Sequence, residues 1–276
     1  MTNLFEDLIT YEFFRYSILA SLLVGFLAAL ISPIVVYKKM EFIGDGTAHA
    51  AFAGLALGVL LGYDYRWAAI ASAVLFSFII GYLTNKTKIA ENSAIGMLLP
   101  VFMSIGVIIL SLSTKYTQDV MGYLFGNILF IEITDIWFLL IVTTITLFVI
   151  FYFRYEILYF LSDENMAEFY GVNTKMIRIL LLILISIIVV SSVKITGIIL
   201  ISALIVIPGL ISKKLGNSYK NAIIASVIFS VLMSISGMAF AYYFDIPPGP
   251  SIVLNYFVLF LLTVFFKQRI SKEEKD

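Results

Sequence analysis

Asp45 and His49 are the residues whose types and spacing could do chemistry in this chain. They stand four positions apart, which on an α-helix puts both side chains on one face about one turn apart. His49 is the only histidine, and it lies in the charge-free run Gly46–Tyr63. A carboxylate oxygen beside an imidazole nitrogen suits a borderline divalent transition metal such as Zn2+ or Mn2+. Ligation needs the neutral imidazole, so affinity should weaken in acid. An ionisable group in a membrane core costs roughly 2.5–3.5 kcal/mol, so such a residue faces a cavity and serves a function. Spacing alone leaves a second reading open. Asp45 could cap a helix N-terminus, where an acid is favoured, and His49 could be a neutral side chain bonded to a neighbouring helix.

The same segment carries Gly46, Ala50, Gly54, Gly58 and Gly62 at every fourth position. Such a ridge lets transmembrane helices approach closely, which places this helix centrally in a bundle with Asp45 and His49 on an adjoining face. Ser226, Ser230 and Ser234 form a comparable stripe, read as close packing with back-bonded hydroxyls. Farther along, Ser202 precedes Ile207-Pro208-Gly209. A proline in an apolar run bends the helix and frees a carbonyl, as either a simple kink or a broken helix lining a pathway. Asp245-Ile246-Pro247-Pro248-Gly249-Pro250-Ser251 reads as a rigid turn, suited to an outer gate or docking rim. Asp64 and Arg66 read as a solvated pair at a membrane boundary. Asp64 also lies ~28 Å from Asp45 at helical rise, too far for the two acids to share a proton as in an aspartyl protease.

The elements that hold these residues follow from composition. Of 276 residues, 61% are hydrophobic and only 13% charged, whereas a soluble domain is about 25% charged. The mean hydropathy of +1.03 comes from uncharged runs long enough to cross a bilayer. They are Ser17–Tyr37, Gly46–Tyr63, Trp67–Asn85, Asn92–Thr114, Ile136–Phe153, Ile179–Val193, Ile195–Ser212, Asn221–Phe244 and Pro250–Phe266. Runs of this length are helices, since backbone in lipid must be bonded internally. The sixth run is short and only Lys194 separates it from the seventh, so the expectation is an all-α polytopic membrane protein with eight or nine transmembrane helices. Residues 1–276 form one transmembrane domain.

Eighteen Lys and Arg balance eighteen Asp and Glu, which removes a basic face for nucleic acid. Sorted by side, fourteen of the basic residues fall together, among them Lys38, Lys86, Arg178, Lys213 and Lys267. Arg15, Arg66, Lys115 and Lys194 fall on the other side. The positive-inside rule makes the first side cytoplasmic, with the C-terminal tail inside and, for nine spans, the N-terminus outside. No basic segment opens the chain, so no secretory signal peptide is expected. With no cysteine there is no disulfide, thiolate nucleophile or iron–sulfur centre. No phosphate-binding G-x-x-x-x-G-K-[ST] occurs, so energy for transport must come from a gradient or another subunit.

Two connections stand out. Val120–Ile131 is uncharged but too short to span, either an interfacial helix or a re-entrant element. In Arg154–Arg178, the longest cytoplasmic connection, Ser162-Asp163-Glu164-Asn165 predicts a helix N-terminus and Gly171 its stop. A short surface helix over about 163–171 is expected, as a linker or as a docking element for a cytoplasmic partner.

Five segments in order resemble the membrane permease of the metal-ion (zinc/manganese/iron) branch of ATP-binding-cassette importers. They are KKMEFIGDGTAHAAFAGLALG (38–58), YLFGNIL (123–129), DENMAEFYGV (163–172), TGIILISALIVIPG (196–209) and FDIPPGPSIVL (244–254). The resemblance implies a type II-like importer permease in a prokaryotic cytoplasmic membrane. It implies a second permease copy, a cytoplasmic ATPase that uses the ATP, and an extracellular metal-binding protein. The family's G-D-x-x-x-H motif falls on Asp45 and His49, the implied metal site. The segment with Asp163, Glu164, Ala167 and Gly171 resembles the part that couples to the ATPase, while Ser202, Pro208 and Asp245 are implied pathway or gate residues. The chain itself would be no enzyme and hold no permanent cofactor, carrying zinc or manganese, with iron a third candidate. The alternative is a gradient-driven metal carrier without an ATPase. One departure is that Asn221–Phe244 holds neither the acid nor the second histidine that some manganese members carry in a late helix.

Overall fold

The computed structural model describes residues 11–112, 126, 131–215 and 218–273. Within them the chain is helical: α1 Glu12–Tyr37, α2 Ile43–Leu61, α3 Tyr65–Thr87, α4 Glu91–Leu112, α5 Ile133–Tyr152, α6 Arg154–Ser162, α7 Glu164–Phe169, α8 Thr174–Thr196, α9 Ile198–Leu215, α10 Tyr219–Phe244 and α11 Pro248–Glu273. Among the described residues, eight of these helices have the length and hydropathy of membrane spans: α1–α5, α8, α10 and α11. The short sixth run proves to be part of a 23-residue helix, because Arg178 and Lys194 are absorbed into its first and last turns. Only Gly197 separates α8 from α9, and its φ of +78° is one that glycine adopts without strain.

Burial sorts the helices into centre and periphery. In the most apolar stretches of α1 and α2, 72% of residues are buried, against 17% in α4. The outward faces of α4, α5, α10 and α11 carry exposed large apolar side chains such as Ile108, Phe148, Ile228 and Leu254, as surfaces solvated by lipid should. The small-residue ridge on α2 works as its spacing predicts. A Cβ on Gly54 would run into the Ala68 carbonyl of α3, and one on Gly58 into the Tyr65 backbone. The approach is fastened where Ser72 Oγ donates to the Ala50 carbonyl at 2.7 Å. A satisfied hydroxyl is what makes such a buried polar group tolerable.

The stripe on α10 is packing too: Ser226, Ser230 and Ser234 are buried, and the Tyr256 hydroxyl of α11 donates to the Ser230 carbonyl at 3.1 Å. Ser230 bonds across to Tyr256 instead of only back along its own helix. The chain does not break at Pro208; α9 is one helix through it, and the Gly209 N–H finds the Ser32 hydroxyl of α1 as partner. The break sits at Gly197. Of the stretch 120–131, only Gly126 and Ile131 lie among the described residues. Gly126, with φ +72°, packs on the backbone of Ile195–Gly197, where no side chain would fit.

Candidate functional site

The start of α2 decides what Asp45 does. The N-cap is Phe42, with no side-chain cap bond, so Asp45 is the third residue of the helix and not its cap. Its Oδ1 accepts a hydrogen bond from Ser202 Oγ of α9 at 2.6 Å. Gly44 makes that approach possible, since a Cβ there would press on Ser202. The carboxylate still gains from the partial positive charge of the helix N-terminus. His49, one turn on, is half-buried like Asp45 and has no hydrogen-bond partner among the described residues. Asp45 is thus a first-turn acid bonded to α9 and not a cap, and His49 is not tied to a neighbouring helix among the described residues.

Depth is the second finding. Thr47 Oγ1 lies 3.2 Å from Ser186 Oγ, at the middle of α8, and Gly46 packs against Phe76, at the middle of α3. Ser77 of α3 bonds to the same Ser186 and donates to the Leu182 carbonyl at 3.2 Å. The first turn of α2 is therefore level with the midpoints of two full-length helices. Asp45 and His49 sit near mid-depth in the bundle, on the face of α2 opposite the Thr47 bond. Among the described residues, no third His, Asp or Glu joins them. The donor set is a carboxylate, an imidazole and the Ser202 hydroxyl, all of them oxygen or nitrogen. Such a set can hold a divalent cation weakly and exchangeably, with water completing its shell.

The other predicted residues are distributed differently. Ser202 joins the site, Pro208 is buried a turn and a half further along α9, and Asp245 is the left-handed C-cap of α10. Asp245 lines a separate cavity of about 440 Å³ with Phe13, Phe14, Tyr242 and Pro247, and it does not meet Asp45. Asp163 caps α7 as predicted, its Oδ1 accepting from the Met166 N–H at 3.0 Å. Ala167 is buried beneath the short helix, and Gly171 takes φ +82° just after it. Phe169, Tyr170 and Met166 of the same segment are left exposed, an apolar knob that the sequence pattern did not single out.

Sequence reasoning also missed what Glu164 touches. Its two carboxylate oxygens take Lys38 Nζ and an Arg178 terminal nitrogen. Arg178 further reaches Asn85 and sets its Nε 2.9 Å from Glu91 Oε1, a charge contact and not an aligned hydrogen bond. Lys38 Nζ lies 3.6 Å over the Phe160 ring. Burial works to raise the Glu164 carboxyl, but the Lys38 hydrogen bond and the Arg178 charge outweigh it and hold it below its usual range. At the opposite end of the bundle, Arg66 does not pair with Asp64 in solvent. Its guanidinium reaches Asp135 of α5 at 3.3 Å, Lys194 of α8 takes the other Asp135 oxygen, and Asp64 instead caps α3.

A lipid-facing helical bundle that carries a carboxylate and an imidazole at its mid-depth has the build of a membrane transport protein. The chain belongs to the ABC 3 transport family, whose model matches residues 10–267. It is 48% identical to a probable metal transport system membrane protein of Thermotoga maritima over 94% of this chain and 92% of the relative. It is 29% identical to the manganese transport system membrane protein MntC of Halalkalibacterium halodurans, over 98% and 92% of the two chains. A solved structure of PsaBC from Streptococcus pneumoniae in complex with Fab matches with a TM-score of 0.86 at 29% identity, covering 98% of both chains.

Proposed function

We propose that this chain is the membrane permease of an ATP-driven importer of a divalent transition metal, manganese or zinc, and that Asp45 and His49 bind the ion in transit. The observation that supports this is their pairing at mid-depth, half-buried, with the Ser202 hydroxyl beside Asp45 and no third His, Asp or Glu among the described residues. A transit site has to release its ion, and a short oxygen-and-nitrogen donor set does so more readily than a closed four-ligand cage. The chain carries no phosphate loop, and in this reading ATP hydrolysis belongs to a separate cytoplasmic subunit. The exposed Met166, Phe169 and Tyr170 beside capped Asp163 and buried Ala167 form the surface on which that subunit would dock. A second permease copy would complete the pathway across the membrane, an extracellular binding protein would deliver the ion near Asp245, and Pro208 would fix the inner course of α9. With α9 as a crossing, the chain spans nine times, N-terminus outside.

The test is uptake by cells expressing the chain with its neighbouring gene products, supplied separately with manganese, zinc and iron. Asp45→Ala and His49→Ala should each abolish accumulation at normal membrane expression. Intact accumulation in both overturns the site. Uptake by the purified chain in liposomes, without an ATPase, overturns the ATP-driven reading and favours a gradient-driven carrier.

A further inference from the structure

The polar contacts at the lysine-rich end link five parts of the chain through the Glu164 carboxylate and the Arg178 guanidinium. Glu164 is the first residue of α7, whose far end carries the exposed knob Met166, Phe169 and Tyr170. Lys38, on one Glu164 oxygen, is the C-cap of α1, and seven residues later the chain reaches Asp45. Arg178, on the other oxygen, sits in the first turn of α8 and ties in Asn85 of α3 and Glu91 of α4. Asn92 of α4 in turn donates to Glu41 at 3.2 Å, inside the turn that leads to α2.

That turn is stiff. Lys39 is left-handed at φ +56°, Met40 N–H closes onto the Val35 carbonyl at 2.9 Å, and Ile43 N–H onto Met40 at 3.0 Å. Met40 itself is fully buried, anchoring the loop in the core. A flexible linker would absorb a displacement of Lys38, whereas a hydrogen-bonded turn with a buried side chain passes it on to the next helix. Lys38 is also laid on Phe160 of α6, so it is held from both sides of the short-helix pair.

We propose that Glu164 and Lys38 are positioning residues for transport: their bond carries movement of α7 into the first turn of α2, where Asp45 and His49 stand. This rests on the reading of the chain as an ATP-driven permease. It adds a route, because α7 and α2 otherwise share no direct bond among the described residues. The route is charge-borne and partly solvent-exposed, so it can be stressed without opening the core.

The experiment uses the complex of this chain with its ATPase, reconstituted in liposomes, with ATP hydrolysis and manganese or zinc uptake measured on the same vesicles. Glu164→Gln and Lys38→Met should each leave hydrolysis per assembled complex within about twofold and lower uptake per ATP about tenfold, the range of a typical coupling free energy. The double variant should be no worse than the more severe single one, since both remove one bond. Lys38→Arg, which keeps the cation, should restore coupling. A merely structural role would lower the yield of complex and leave uptake per ATP unchanged; that result, in either single variant, overturns the proposal. If Glu164→Gln fails to assemble, Lys38→Met tests the same bond. Wild-type complex that neither binds an ATPase nor needs ATP for uptake would instead overturn the permease reading itself.

Discussion

Two carboxylates in this molecule each sit between two cations, and they are built for different work. Asp135, at the end holding Arg66 and Lys194, is only 8% exposed and belongs to the first turn of a full-length helix. One of its oxygens also accepts the Glu132 N–H at 3.0 Å, closing the capping box of α5. Its partners lie on α3 and α8, so it fixes three spans to one another far from Asp45. Glu164 is partly open to solvent, belongs to a six-residue helix outside the spans, and grips the turn that leads to Asp45 and His49. A buried carboxylate on long helices resists motion. A half-open one on a short helix can swing with it. Similar charge arithmetic thus produces a clamp in one place and a joint in the other.

The comparison breaks most visibly at Asp135. Asp135→Asn leaves Lys194 and Arg66 facing a neutral amide in a poorly solvated place, and removing one partner of a buried pair costs ~3 kcal/mol or more. A large fall in the melting temperature in detergent is expected, with uptake per ATP of the surviving protein unchanged. Reduced uptake per ATP in that variant would erase the distinction between clamp and joint. Asp135→Asn combined with Lys194→Met should recover much of the lost stability, because replacing both members of a buried pair is far milder than replacing one. Arg66, the more exposed cation, then turns to solvent or to Asp64.

These two clusters also mark how far the sequence could be read. The spans and the ridge from Gly46 to Gly58 were legible because periodicity and lipid leave little choice, whereas Gly62 ends the helix as its C-cap and packs on nothing; the Asp163 cap and Gly171 stop obey local rules. That Asp45 and His49 share one helix face was legible from their spacing, whereas the bond from Ser202 to Asp45 was not. Nor was the depth of the two residues, since it depends on α2 starting level with Ser186 and Phe76, a fact of packing between distant segments. Lys38 with Glu164 is a contact across 126 positions, and Lys194 with Asp135 one across 59. Nothing in local pattern points from one member to the other. Pro208 was read as either a kink or a break, and of the two the break does not occur; the interruption falls at Gly197. In the fold, Ser32 supplies the hydroxyl that the close Gly209 backbone needs, and the helix runs on.

Acid should separate the two regions next. Because the folded Glu164 carboxyl is held below its ordinary value of 4.5, its bonds contribute fully above that value and are lost only as pH falls through the lowered one. In the proposed function, ion binding at His49 needs the neutral imidazole, which an ordinary histidine loses at milder acidity. Uptake in wild-type vesicles should therefore drop well before hydrolysis uncouples from what transport remains. Simultaneous loss of uptake and coupling would mean that one titration governs both.

The smallest effect expected is at Glu91. Its contact with Arg178 Nε lacks hydrogen-bond alignment, and Arg178 keeps both Glu164 and Asn85 when it is gone. Glu91→Gln should cost less than Asp135→Asn, because Arg178 keeps an anionic partner in Glu164 whereas Lys194 is left with none among the described residues. It should leave uptake per ATP within error of wild type. The value of this variant is its position. It changes charge on the same guanidinium that Glu164 grips, without touching the bond from Lys38 to Glu164. If neutralising Glu91 uncoupled transport as strongly as neutralising Glu164, the summed charge around Arg178 would be what matters. If it does not, the movement travels through the particular bond between α7 and the turn before Asp45.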